Sequence, residues 1–176
     1  MKSILKVVLL LSAACLLNAQ APRRAPGFSL PDLKLQQHDM ADLLGKIVLL
    51  DFIQTGCPAC RLLSGALEEV KAKFGDKVAV LTIVTPPDNQ ATVAQFVSNF
   101  NVSTPVLFDC GQVTASYVQV MPDNPQVHFP HLFIVDREGM IRSHSTSESN
   151  PVELESKTLI GQVEQLLQSA PAKRSK

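Results

Sequence analysis

The 176-residue chain has no tryptophan, one tyrosine and four cysteines, and its 16 basic residues are matched by 16 acidic ones. Balanced charge leaves no basic surface of the kind that binds nucleic acid. No second CxxC accompanies Cys57-Pro58-Ala59-Cys60, so the four ligands of an ordinary structural zinc are not laid out in the sequence. His128 and His131 are the one other close pair, and the Phe129-Pro130 between them does not suit a ligand helix. An apolar run of the roughly 20 residues needed to span a membrane is also missing. With no internal repeats and no long linker, the chain reads as one domain with a sizeable core.

What is present begins with a basic start at Lys2 and Lys6, an apolar stretch from Val7 to Leu17, and Ala19-Gln20-Ala21 in small-x-small form. The pattern predicts a signal peptide over residues 1–21. An uncleaved anchor is the alternative. A lipoprotein anchor at Cys15 is disfavoured, because Ser12 stands where such a signal wants Leu. Cleavage would leave 14 basic residues against 16 acidic ones, and three cysteines, Cys57, Cys60 and Cys110, in a compartment where disulfides persist. The expected domain covers residues 22–170, followed by a basic, mobile tail at 171–176. The expected location is the bacterial periplasm or cell envelope.

Along the domain, Ile47–Ile53 and Val78–Val84 are continuous apolar, β-branched runs, as in strands buried on both faces. Between them Leu63, Leu67, Val70 and Phe74 recur at helical spacing, and Gly75 supplies the stop. A second helix is predicted from Asp88 or Asn89 to Phe100, then a short strand over Pro105–Phe108 and a helix over Gln112–Val120. Leu132–Val135 and Met140–Ser143 flank Arg137-Glu138-Gly139 as a hairpin. A closing helix is placed near Asn150-Pro151, with Glu153 in a capping box and Leu159, Val163 and Leu166 facing inward. This order predicts an α/β fold in three layers around a mixed sheet.

The CxxC opens the first of these helices. A sulfur at Cys57 would face unpaired N–H groups and the positive end of the helix dipole, both of which favour thiolate. Cys60, one turn on, is placed to attack a mixed disulfide at Cys57. Pro58 fits a first helical turn, where its missing N–H costs nothing. Half a metal site and a structural bridge are the competing readings; a bridge across two residues would restrict the unfolded chain very little. Redox chemistry is the stronger reading.

Five segments carry a family resemblance: Ala25-Pro-Gly-Phe-Ser-Leu-Pro-Asp-Leu33, Leu44-Gly-Lys-Ile-Val-Leu-Leu-Asp-Phe52, Cys57-Pro-Ala-Cys-Arg61, Pro105-Val-Leu-Phe-Asp109 and Phe129-Pro-His-Leu-Phe-Ile-Val-Asp-Arg-Glu-Gly-Met-Ile141. In order and spacing the chain resembles extracytoplasmic thioredoxin-fold proteins of the TlpA/ResA-like branch, within the redoxin group that includes peroxiredoxins. The resemblance implies a thioredoxin-like fold with an inserted strand and helix and an N-terminal extension. It implies a thiol–disulfide oxidoreductase with a redox-active Cys57–Cys60 pair, no other cofactor, protein thiol or disulfide substrates, and a membrane electron donor or acceptor, acting as a monomer. Pro130 corresponds to the family's cis-proline, with Phe129, Pro58 and Ala59 lining the substrate groove. Asp51, six residues before Cys57, corresponds to the carboxyl that assists deprotonation of the second cysteine. Burial in an apolar strand independently predicts a raised pKa for it, against the alternative of an ion pair with a lysine such as Lys77.

The chain departs from that pattern in two places. Gln54-Thr55-Gly56 replaces the aromatic residue usual before the first cysteine, so the rim of the site should be less hydrophobic there. Cys110 follows a strand parallel to the catalytic one and is expected on the same edge of the sheet, partly buried and inert. Two rival functions are considered. A thiol peroxidase wants Thr three residues before its reactive cysteine, where this chain has Gln54, with Thr55 out of step by one. A Sco-like copper protein would recruit His128 or His131 to the two cysteines, but uses a CxxxC spacing. His38 and His144 are read as surface residues.

Overall fold

The computed structural model describes residues 23–120 and 126–169. The expected signal peptide at 1–21, Cys15 and the expected basic tail at 171–176 lie outside the described residues. A five-stranded mixed sheet forms the centre, in the order β5 (Val106–Phe108), β4 (Val78–Val84), β3 (Ile47–Ile53), β6 (His131–Val135), β7 (Ile141–Thr146). Strands β3, β4 and β5 run parallel, whereas β6 and β7 are antiparallel to their neighbours. All seven residues of β3 are buried, as an apolar run covered on both faces must be.

Alternation along β3 divides the core. Val48, Leu50 and Phe52 face one side, with Phe133, Tyr117, Phe28 and Met40. Ile47 and Leu49 face the other, against Leu63, Leu67 and Val70 of α1 (Pro58–Phe74) and Leu159 and Val163 of α4 (Ser156–Gln168). Near the end of β3, Ile53 and Cys60 pack with Val93 and Phe96 of α2 (Gln90–Phe100). Helix α3 (Gln112–Val118) covers the opposite face through Tyr117, whose ring lies 5.2 Å from that of Phe52. Gly75 stops α1 at φ 55°, a conformation that favours glycine.

The N-terminal extension contains a hairpin that the hydrophobic pattern does not reveal. Strands β1 (Ser29–Pro31) and β2 (Gln37–Asp39) pair antiparallel, and the Asp32 carboxylate closes their loop by accepting the N–H groups of Lys34 and Gln36 at 2.8 and 3.0 Å. Bridges from Arg24 to Met140 and from Asp32 to Leu107 tie the segment to both edges of the main sheet.

The start of the closing helix differs from expectation. Pro151–Leu154 form a separate 3-10 turn, and α4 begins at Ser156. Glu153 makes no capping box, because its carboxylate accepts the Ser145 hydroxyl from β7 instead. A tertiary partner has outcompeted the local cap.

Candidate active site

At the end of β3 the chain turns over Gln54–Cys57, with the Cys57 N–H donating to the Gln54 carbonyl at 3.0 Å. Cys57 is the N-cap of α1 and Pro58 its first helical residue. The Cys57 sulfur accepts the backbone N–H of Cys60 at 3.3 Å, so the dithiol is built around the orphan donors of the first helical turn. Pro58 is exposed and Ala59 half-buried on the rim.

The two thiols meet different surroundings. Cys57 is partly accessible, whereas Cys60 has no exposed surface. Burial pushes the Cys60 thiol well above its ordinary range, and the hydrogen bond with Cys57 and a negative charge on Asp51 push in the same direction.

Asp51 lies in the middle of β3 with both carboxyl oxygens buried and unpartnered. Burial raises its pKa well above the usual carboxylate range, as the strand's composition predicts. The alternative of a lysine partner fails on register. Asp51 is opposite Thr82, and Lys77 is five residues before Thr82, about 16 Å away along the strand.

Opposite the dithiol, the Phe129–Pro130 peptide is cis, as the family resemblance implied. A second cis bond, Pro86–Pro87, was not expected. Pro130 is buried, Phe129 is half-buried, and the Phe129 carbonyl accepts from the Cys57 thiol at 3.6 Å. Cys57, Cys60, Asp51, Phe129 and Pro130 thus converge from β3, the start of α1 and the loop before β6.

Neither candidate metal histidine points to the sulfurs. His131 Nδ1 is hydrogen-bonded to His144 Nε2 at 2.8 Å, and its own Nε2 is buried without a partner. His128 lies 4.0 Å from Glu148. No three His, Cys, Asp or Glu side chains among the described residues are grouped to hold a metal. His144 lies at the surface as read, with its ring stacked on Phe133 at 4.1 Å between centroids. The surface reading of His38 needs correction, because it is half-buried against Asp32 at 3.1 Å under the N-terminal hairpin.

Cys110 also departs from its reading, since its side chain is exposed rather than partly buried. Its place holds: it follows β5, whose end is fixed by the Asp109 N–H on the Val84 carbonyl at 2.9 Å, on the edge where β3 delivers its turn. The sequence offers Asp88 only as a helix cap. Asn89 performs that task, accepting the N–H groups of Ala91 and Thr92, and leaves Asp88 to bind Thr55. The sequence signal was two adjacent cap residues where one helix needs a single cap.

No helix among the described residues is long and apolar enough to cross a membrane. The thioredoxin-like protein YneN of Bacillus subtilis is 29% identical over 140 residues, covering 78% of each chain. The thiol-disulfide oxidoreductase ResA of Bacillus thuringiensis is 26% identical over 136 residues, covering 77% of this chain and 75% of ResA. Among solved structures, the thioredoxin domain of a thiol-disulfide oxidoreductase from Bacteroides vulgatus superposes with a TM-score of 0.66 at 26% identity, over 81% of this chain and 94% of that one. The AhpC/TSA family model matches residues 22–144, a span that holds both cysteines, Asp51 and Pro130, and the chain belongs to the AhpC/TSA family.

Proposed function

We propose that this thioredoxin-like thiol–disulfide oxidoreductase is exported and reduces protein disulfides in the cell envelope by cycling Cys57 and Cys60. The observation that carries the reading is the pairing of an accessible sulfur at a helix N-cap with a buried thiol one turn on, above a buried carboxyl. The N-terminal pattern over residues 1–21 supports export, and residues 22–170 are taken as the working domain.

The dithiol is the only redox group required. Cys57 attacks one sulfur of a substrate disulfide, forming a mixed disulfide and releasing the first substrate thiol. Asp51, in its carboxylate form, takes the Cys60 proton. The Cys60 thiolate then attacks the Cys57 sulfur, expelling the second substrate thiol. The enzyme is left oxidised by two electrons, with a Cys57–Cys60 disulfide, and a membrane-bound donor restores the dithiol. Phe129, Pro130, Pro58 and Ala59 form the walls against which an extended substrate lies, and one copy of the chain holds every group used.

The test is reduction of a protein disulfide, such as those of insulin, by the reduced protein. Stoichiometric reduction that disappears in Cys57→Ser is the expected result. A dithiol that reduces no protein disulfide, while consuming hydroperoxide rapidly, would replace this reading with the peroxidase one. The Thr55 hydroxyl, the nearest candidate to hold a peroxide, is already spent on Asp88.

A further inference from the structure

Thr55 stands two residues before Cys57, and all three of its polar groups are held by side chains from other positions. Its N–H donates to Asp88 Oδ2 at 2.9 Å, and its hydroxyl donates to Asp88 Oδ1. Its carbonyl accepts from Arg61 Nε at 3.3 Å, while Arg61 Nη2 reaches the Gly56 carbonyl at 3.5 Å. Asp88 is 33 residues away in sequence, in the loop between β4 and α2, where its N–H closes a turn on Thr85 at 3.1 Å. Thr92 steadies the same carboxylate by donating to Oδ1 at 2.9 Å. The Arg61 guanidinium lies over Phe100, 5.4 Å from the ring centroid. The two ends of α2 therefore reach the turn that carries the dithiol, one directly and one through Arg61.

The turn needs such support. Its own backbone provides a single hydrogen bond, Cys57 N–H to Gln54, and a short irregular segment is costly to order. A carboxylate that takes the N–H and the hydroxyl of one residue fixes its backbone and its side chain together, with charge-assisted bonds. The capping of α2 does not require Asp88, because Asn89 supplies it.

We infer that Asp88 is a positioning residue for the dithiol: through Thr55 it fixes the Gln54–Cys57 turn and hence where the Cys57 sulfur sits, with Arg61 as a second hold. No aromatic residue stands in Gln54-Thr55-Gly56, and a polar clamp occupies that stretch before the first cysteine. The inference rests on Cys57 as the attacking thiol.

The test uses the full chain carrying Cys15→Ser, Cys60→Ser and Cys110→Ser, so that Cys57 is the only thiol, and measures its alkylation by iodoacetamide at pH 7. Asp88→Asn should slow alkylation by about fivefold or more, since small misplacement of a reacting atom is expensive. Thr55→Val, which keeps the N–H and loses the hydroxyl, should also be slowed. Thr55→Ser, which keeps both, should react as the parent does. Asn89→Ala removes the helix cap alone and should lower the melting temperature without changing the rate. In the chain with its native cysteines, Asp88→Asn should also shift the glutathione equilibrium towards the disulfide, because the Cys57 sulfur to Cys60 N–H contact belongs to the dithiol form.

Alkylation of Asp88→Asn within about twofold of the parent would overturn the assignment. If Asp88→Asn does not fold, the Thr55 pair decides: a slow Thr55→Val beside a normal Thr55→Ser supports the clamp, and equal rates overturn it. The alkylation readout involves no protein substrate. A failure to reduce protein disulfides would therefore count against the proposed function and leave the clamp to its own measurement.

Discussion

Asp51 and Cys60 share the interior, a carboxyl and a thiol both without solvent contact and both shifted by burial towards their protonated forms, and a negative charge on Asp51 raises the Cys60 pKa further. Asp51 is thus an acceptor for the Cys60 proton that does not require opening the core. Asp51→Asn should slow release of a mixed disulfide near neutral pH and leave the first attack by Cys57 comparatively intact. Stopped-flow separation of the two steps checks this; equal release rates from pH 5 to pH 9 would remove Asp51 from the mechanism.

The same carboxyl sets a pH dependence of stability. Its folded pKa lies above its ordinary 3.8, so the folded state holds the extra proton and stability falls as pH rises from about 3.8 through the folded value. Asp51→Asn should gain on the parent at pH 7 to 8 by about 1.4 kcal/mol for each pK unit that burial adds. The advantage should vanish below about pH 4. Urea denaturation at both pH values measures it, and a constant difference would mean that the folded and unfolded chains share one pKa for this carboxyl and that burial does not raise it.

His131 works in the opposite direction. Burial first, and then the neighbouring His144 and His128, pull its pKa down from 6.5 to about 4, so the unfolded chain takes up the proton that the folded one refuses. The stability it contributes is complete above pH 6.5 and is lost as pH falls towards about 4, by on the order of 3 kcal/mol. His131→Leu should flatten the acid limb of the melting-temperature profile relative to the parent. An unchanged profile would show that the imidazole is protonated in place.

Division of labour between the thiols follows from accessibility. Cys60→Ser should accumulate mixed disulfides with substrates, whereas Cys57→Ser should trap few. Equal trapping, read by mass spectrometry after acid quenching, would refute the assignment.

Glu68 offers a test remote from the chemistry. From α1 its carboxylate accepts the backbone N–H and hydroxyl of both Ser103 and Thr104, clamping the segment that enters β5. Glu68→Ala should cost about 1–3 kcal/mol by stranding those donors, with disulfide exchange by the folded protein unchanged. A loss within experimental error would show that water replaces the carboxylate.

The sheet was legible where burial imposes pattern. Both β3 and β4 read directly as unbroken apolar runs, and α1 and α2 as helical repeats ending at Gly75 and starting at Asn89. The hairpin of β1 and β2 was not, because three-residue strands with exposed or half-buried side chains carry no hydrophobic signature and their turn is closed by the Asp32 carboxylate. The cysteines and Asp51 stood out in the sequence because their chemistry conflicts with an apolar setting. The Asp88 grip on Thr55 and the stack of His131, His144 and Phe133 depend on which residues meet across strands and loops, and local pattern does not encode that.

The absence of any exposed surface on Cys60 governs traffic as well as mechanism. Once the disulfide has formed, an incoming donor thiol can reach only Cys57, the same atom through which the substrate was reduced. Electrons therefore enter and leave by one port, and donor and substrate cannot be attached at the same time. Their steady-state kinetics should be of the ping-pong form, with parallel lines in double-reciprocal plots, and each partner at high concentration should compete with the other for the wrong redox state of the protein.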